Sequence, residues 1–528
     1  MKRKIFSILF ALVLVLSFSL VTAVPVAANT DRLVPSQYAT IQLAIDAASP
    51  GDTIIVAAGT YSGFTVPDTK ANITILGARA DVDPVGSTDR GGESIITGTV
   101  IIKADGVILN GFKMTASYVA VGYNHAHNVN ISYNILENVT ATWGAIHLHG
   151  TASGPSYHEA DGGYIGYNTI SGAAGHGIWT VGNDNVVIEY NHVLDVTGTA
   201  IDCLNHVGTG IVIRNNTITD PGQKGINYWA EAGAVISNNV ISGTGWEAIC
   251  TDIAATITGN EISSVNVQGI RLFDGAGGST VSGNTISNAF YEGIQAFAQA
   301  TITGNEISGC YHGIQIRKYA TGTVIDSNNI HDNTYHGLEI PNYGGSEPDV
   351  TAASITNNTF AGNGYTGIKV GGGAEGKDIA VHFNEFIGNG IFGVESVTTS
   401  SDVDAEYNWW GDCSGPGPVG PGSGDSVSAN VLFDPWLGKA LCELRDAIAA
   451  LPVEDFNNQK AWEDQQQALL DKIDAVCGQF GDGAYRGALN KLQHDVIKKL
   501  EKWIVSPSNE PLIEMVNAEI QILNGFLQ

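Results

Sequence analysis

TITGNEI at residues 256–262, with GIRL following at 269–272, returns as TITGNEI at 301–307 with GIQI at 313–316. An apolar strand leads to a turn asparagine, a second short strand, and then a glycine–isoleucine strand. With the asparagine as marker, equivalent positions are Asn134, Asn168, Asn191, Asn216, Asn239, Asn260, Asn284, Asn305, Asn329, Asn358, Asn384 and Asn408, separated by 21 to 34 residues. A period of that length, built from two or three short strands with no helix between them, is the signature of a solenoid. Ile, Val and Thr fill the strands where leucine-rich repeats would hold Leu, and Gly and Asn occupy the corners. This composition predicts a mainly β chain wound as a right-handed parallel β-helix. Asn tolerates the left-handed backbone of a sharp corner, and corners stacked about 4.8 Å apart let amides bond along the axis. The asparagines are therefore read as a ladder that satisfies its own buried amides, not as ligand contacts.

A chain of 528 residues exceeds an ordinary domain but suits a solenoid, which grows along one axis. Its 65 Gly and three Met fit a turn-rich β protein, and six Cys are too few for a disulfide framework. The net charge is −28, and the last 92 residues carry 14 acidic and nine basic side chains. Most of the negative charge therefore lies on the β region. Such a surface repels nucleic acid and other polyanions unless cations intervene.

Residues 1–28 have the form of a secretory signal peptide: Lys2-Arg3-Lys4, an apolar run from Ile5 to Val21, and a small-residue site at Val26-Ala27-Ala28. No second stretch is long and apolar enough to span a bilayer, so the expected location is secreted, cell-surface or periplasmic. Residues 29–436 form the β-helix, with about twelve or more coils, and residues 437–528 a small all-α module. Residues 40–48 predict an N-terminal capping helix, with Ile41, Ala44, Ile45 and Ala48 on one face, Thr40 as N-cap and Pro50-Gly51 as the stop. Strands are expected within 72–76, 94–102 and 107–114, and the interval from Asn134 to Asn168 leaves room for a loop within 149–163. Residues 343–349 make a smaller insertion. Beyond Trp436, helical spacing runs through 437–451, 458–480, 483–504 and 510–527, with apolar faces such as Leu469, Ile473, Val476 and Phe480. Cys442 and Cys477 lie on two of these helices and are either disulfide-bonded or two buried thiols.

VPSQYATIQLAIDAASPGDTIIVAAGTY at 34–61 resembles the opening of the extracellular right-handed β-helix superfamily. That superfamily includes pectate lyases, pectin esterases, polygalacturonases, alginate epimerases and NosD-type periplasmic proteins. NWWGDCSGPGP at 408–418, followed by Asp434-Pro435-Trp436, resembles the closing coil of secreted β-helix repeat proteins. The resemblance spans about residues 33–436. It implies the pectate-lyase-like fold and leaves the activity open, because one scaffold hosts many functions.

Within each glycine–isoleucine strand the isoleucine points inward and the next residue outward. The first outward column reads Ala120, His147, Trp179, Asp202, Asn227, Cys250, Arg271, Gln295, Gln315, Glu339, Lys369 and Glu395. A second, two residues on, includes His149, Trp229, Asp252, Phe273, Phe297 and Arg317. Aromatic rings that stack on sugars, interleaved with groups that bond hydroxyls, suit a polysaccharide lying across the coils. The expected carbohydrate contacts are Trp179, Asn227, Trp229, Arg271, Phe273, Gln295, Phe297, Gln315 and Arg317. The competing reading is that loops cover this face and the aromatics merely seal them.

Eight of the thirteen histidines, from His125 to His206, fall within 82 residues. His147 and Asp202 beside Trp179 are candidate acid–base residues. His125, His127 and His149, joined by His147, are candidate transition-metal ligands, and Asp252 with Asp274 a candidate Ca²⁺ or carboxylate pair. Scattered surface histidines are the plain alternative. GHG at 175–177 resembles the glycine–histidine–glycine of polygalacturonases, but the paired aspartates and the Arg-x-Lys that should accompany it are missing. The Asp-Pro-His-Asp of alginate epimerases and the arginine cluster of pectate lyases are missing as well. The sequence thus predicts an exported β-helix that binds extracellular polysaccharide and modifies it in one reading. A lyase, hydrolase or epimerase at His147–Trp179–Asp202, a non-catalytic adhesion protein, and a NosD-like metal handler are the alternatives.

Overall fold

Strands Ala255–Thr258, Glu261–Val265 and Ile270–Leu272 make one coil, and each falls in a different parallel sheet. The three sheets hold 17, 14 and 16 strands, so successive coils stack along one axis. The computed structural model describes residues 30–84, 89–121, 126–149, 160–204, 209–230, 232–341, 350–371, 378–397 and 402–527. The signal segment, the loop within 149–163 from residue 150 to 159, the insertion at 343–349, His125, His158 and His206 lie outside the described residues. The first sheet precedes the marker asparagine, the second follows it, and the third carries the glycine–isoleucine strands. Neighbouring coils pair in register, as in Ile257↔Val281, Ile262↔Ile286 and Ile270↔Ile294. These isoleucines are fully buried and fill the bore.

One corner fixes that register. Asn134, Asn168, Asn191, Asn216, Asn239, Asn260, Asn284, Asn305, Asn328, Asn358, Asn384 and Asn408 form an unbroken ladder. Each Nδ2 donates to the next Oδ1 at 2.8–3.1 Å. Two expectations are corrected here. The ladder member in its coil is Asn328 rather than Asn329, whose amide points outward and bonds Glu306. The left-handed residue is also not the ladder asparagine but the one before it, for example Tyr133, Asn215, Gly259, Ser327 or Tyr407, with φ between 55° and 64°. That corner aims the following amide into the bore. Ser327 fixes the choice in the Asn328-Asn329 pair, because the amide that follows the corner is Asn328. A second, shorter ladder runs Asn333, Asn363, Asn389 and Asp425 on the next corner.

Helix α1, Ile41–Ala47, buries Ile41, Ala44 and Ile45, and the Thr40 hydroxyl accepts the Leu43 N–H as its N-cap. At the far end the chain changes period. Helices α2 (Lys439–Ala449), α3 (Trp462–Gly481), α4 (Tyr485–Lys491), α5 (Ile497–Trp503) and α6 (Glu510–Gly525) pack on their own core, with a π turn, Leu492–Val496, joining α4 to α5. No helix among the described residues is long and apolar enough to cross a membrane. The Trp409-Trp410 pair splits between the two parts. Trp410 stacks on Phe386 inside the solenoid (4.8 Å), and Trp409 lies in the helical core against Phe480. The Tyr485 hydroxyl donates to Glu385 across the same junction.

The disulfide joins Cys413 to Cys477, not Cys442 to Cys477. Cys442 is a free thiol directed at the Cys413 carbonyl. The bond therefore ties α3 to the closing coil rather than helix to helix. It closes a loop of 64 residues, for which chain entropy predicts about 4 kcal/mol of stabilisation. Cys413→Ser is expected to lower the urea midpoint of the helical signal in circular dichroism. An unchanged midpoint would contradict this.

Candidate functional site

The coils stack closely along the third sheet because its glycines carry no side chain. A Cβ on Gly269, Gly293, Gly313 or Gly337 would lie 2.5–2.7 Å from the carbonyl oxygen of the next coil's glycine. That close stacking superimposes the residues around each glycine into columns. The register runs Ala120, His147, Trp179, Asp202, Asn227, Cys250, Arg271, Gln295, Gln315, Glu339, Lys369 and Glu395, as the periodicity predicts. A column that sequence reasoning missed stands beside it, on the residue before the glycine, or alanine, of each third strand: His176, Thr199, Lys224, Glu247, Gln268, Glu292, His312 and His336. The signal is present in the repeat as a constant offset of one residue from the glycine–isoleucine phrase.

The two columns interlock. The Asp202 carboxylate accepts the Asn227 amide at 2.7 Å and lies 3.5 Å from His176 Nδ1. Lys224 and the Cys250 thiol both donate to Asn227 Oδ1, at 3.1 and 3.0 Å. Above this group His147 leans on Trp179 (centroids 4.3 Å), with His149 at its edge, while exposed Trp143 stacks on the outer face of Trp179 (5.3 Å). Burial raises the Asp202 carboxyl above the usual carboxylate range, against the Asn227 hydrogen bond and the nearby His176 and Lys224. Burial, reinforced by His149, pushes the His147 imidazole down to about 3. A ring that holds a proton only in strong acid is neutral at physiological pH, so His147 offers hydrogen bonds rather than acid catalysis.

Further along, Arg271 donates to Glu247 at 3.0 Å and covers the rings of Phe273 and Phe297. Arg317 and Lys318 also lie over the Phe297 ring, at 4.9 and 4.7 Å from its centroid. Trp229 meets the edge of Phe273 at 5.8 Å. Gln268 donates to Glu292, and a chain of amides runs from Gln295 to Gln315 to Glu339, at 2.7–2.9 Å. Burial raises Glu292, with the Gln268 bond opposing, and pushes His336 down to about 3. Yet Trp229 Nε1, Glu247 Oε2, Gln268 Oε1, Arg271 Nε and Gln295 Oε1 are buried without a hydrogen-bond partner among the described residues.

One expectation about the flank does not hold. His147, Asp202, Asn227, Gln295, Gln315 and Phe297 are all buried, so this is a recessed strip and not an open surface. Neighbouring side chains cover each other at the coil spacing. The structure keeps several predicted ligands apart. His127 Nδ1 accepts the Asp161 N–H (3.3 Å) in a corner ladder with Asp105 and Asp184. Asp252 accepts the Gly275 N–H, while exposed Asp274 pairs with Lys318 at 3.7 Å. Among the described residues no three His, Cys, Asp or Glu side chains gather in a geometry to hold a metal.

The model of the family described as "Right handed beta helix region" matches residues 89–241 and 244–409, more than half of the chain. No curated protein matches in sequence. Three similar solved structures are the A-module of the Azotobacter vinelandii mannuronan C-5 epimerase AlgE6, a GH87 α-1,3-glucanase catalytic unit from Streptomyces thermodiastaticus, and a tailspike protein of E. coli bacteriophage HK620. The first is 16% identical over 75% of this chain and 94% of its own, with a TM-score of 0.36. The glucanase is 16% identical over 74% and 65% with a TM-score of 0.37, and the tailspike 12% over 74% and 75% with 0.41.

Proposed function

Because this chain belongs to the right-handed β-helix family, whose scaffold leaves the chemistry to its flanks, we propose that it is an exported protein binding extracellular polysaccharide along the third sheet. One observation carries the reading. Single atoms of buried amide, carboxyl, guanidinium and indole groups that lack a hydrogen-bond partner among the described residues lie near Trp229, Phe273 and Phe297. Buried polar groups are normally paired, so a strip of unpaired ones marks where hydroxyl groups would bond, and the rings supply apolar faces for pyranoses. The excess of carboxylates over the whole chain favours a neutral polymer over a uronate one unless Ca²⁺ bridges the two.

A second reading, modification of the bound glycan, is favoured by Asp202. A carboxyl raised by burial, 3.5 Å from an imidazole and next to a Trp, has the ingredients of a general acid. The test is a panel of polysaccharides read both for binding and for new reducing or unsaturated ends. Trp179→Ala and Phe273→Ala are each expected to weaken binding about tenfold, equivalent to ~1.4 kcal/mol. A panel in which nothing binds would end the first reading. Asp202→Asn is expected to abolish new ends while binding persists. Wild-type activity should fall as pH rises through the raised Asp202 value, and turnover retained in the variant would remove Asp202.

A further inference from the structure

The repeat keeps eight residues between the ladder asparagine and the glycine of the third strand in the coils from Asn260, Asn284, Asn328, Asn358 and Asn384. The coil from Asn305 has seven. Its GCYHG at 309–313 meets DNTYHG at 332–337 in the next coil, so the residue corresponding to Thr334 is missing while Tyr-His-Gly continues unchanged. The backbone agrees. Tyr311 N–H bonds Tyr291 O at 2.8 Å and Tyr335 N–H bonds Tyr311 O at 2.9 Å, so the tyrosines stay in line and Phe290 has no counterpart one coil on. The lost residue leaves a groove of about 660 Å³ at this corner.

Phe290, Tyr291 and Tyr311 stand around it, 67%, 46% and 43% exposed. The Tyr311 ring is held by stacking on Tyr335 (5.4 Å), and that ring in turn on Tyr365 (4.7 Å). Ser264, Asn266, Asn288 and Thr334 supply hydroxyl and amide groups, and no lining residue is charged. In a chain of net charge −28, an uncharged groove selects against ionic ligands of either sign. The gap from the coil of Phe290 to that of Thr334 is two coil spacings, about 9.6 Å. It accommodates one saturated ring in van der Waals contact, at about 3.5–4.0 Å, with each side.

We infer that this groove is a second carbohydrate subsite, taking a single neutral pyranose such as a chain end or a side branch. Aromatic walls with amide and hydroxyl groups and no charge match a ring that is apolar on its faces and hydroxylated on its rim. The site is on a different corner from the recessed strip and does not depend on glycan binding there.

The experiment is saturation-transfer NMR on the full-length protein with glucose, galactose, mannose and N-acetylglucosamine. At least one is expected to receive transfer. Inserting a Thr between Cys310 and Tyr311 restores the eight-residue spacing and is expected to abolish it. Phe290→Ala is expected to weaken binding at least tenfold, and Asn288→Gly, which keeps the left-handed backbone (φ 55°), to weaken it measurably. The transfer lost in Phe290→Ala should be the same with or without Trp179→Ala, separating the subsite from the strip. No transfer to the wild-type protein would overturn the inference, as would transfer that survives the insertion. Should the insertion not fold, Phe290→Ala decides alone, since it removes an exposed ring, and unchanged binding in it is equally fatal.

Discussion

Asn260→Ala is expected to destabilise the solenoid by about 4 kcal/mol. Its Oδ1 accepts both the backbone N–H and the Nδ2 of Asn239, at 3.0 and 2.9 Å. Its Nδ2 serves the Ile236 and Thr258 carbonyls and Asn284 Oδ1. Alanine leaves two buried donors without an acceptor, each costing about 1–3 kcal/mol, and three acceptors short of one donor. Water cannot compensate, because the position is buried within the stack. Neighbouring coils carry the damage, since each repeat is held mainly by those beside it. Asn134→Ala, at the start of the ladder, should cost less, because among the described residues its Oδ1 accepts only the Phe112 N–H, and its Nδ2 serves the Leu109 carbonyl and Asn168 Oδ1. Urea denaturation of both variants measures the difference. A loss below about 1 kcal/mol for Asn260→Ala would mean that the ladder follows the fold without holding it.

The second large effect lies in the helical module. Glu519, on α6, is fully buried and accepts the Gly438 and Ala440 N–H groups at the start of α2, at 2.6 and 3.1 Å. Burial pushes its carboxyl up to about 7, although the backbone donors oppose the shift. The folded value is thus above the unfolded one near 4.5, so its contribution is complete below about pH 4.5 and is lost as pH rises through about 7. The module is expected to lose about 3 kcal/mol over that window. Glu519→Gln keeps the shape and one acceptor and should flatten this pH dependence. Glu519→Ala frees two helix N–H groups and should lower stability by about 2 kcal/mol at pH 4.5, a deficit that shrinks as pH rises because alanine does not titrate. Urea midpoints at pH 4.5, 6 and 7.5, read against the Gln variant, isolate this carboxyl. Parallel curves for wild type and Glu519→Gln would refute the assignment.

The outward column from Ala120 to Glu395 was legible because parallel in-register strands repeat with period two, and one correct glycine–isoleucine phrase aligns every coil. The Asn328-Asn329 pair was not, since two adjacent amides satisfy the same spacing. Only the left-handed backbone at Ser327 shows which one turns inward. Cys413 was passed over for Cys442 because helical periodicity places residues on a face without saying what that face meets. The column from His176 to His336 was written at a constant offset, but its nearness to Asp202 and Glu339 depends on how the corner bends.

The sequence by itself determined the repeat, the ladder in all coils but that of Asn328, and the inward and outward sorting. Each follows from contacts between a residue and its counterpart one repeat away, and repetition reveals such contacts. Tertiary structure alone decided that the flank is recessed, that the closing coil is pinned to α3, that Glu519 caps α2, and that a missing residue after Cys310 opens a groove. These depend on side chains from different columns, or different parts of the chain, meeting in space, where no periodicity constrains them.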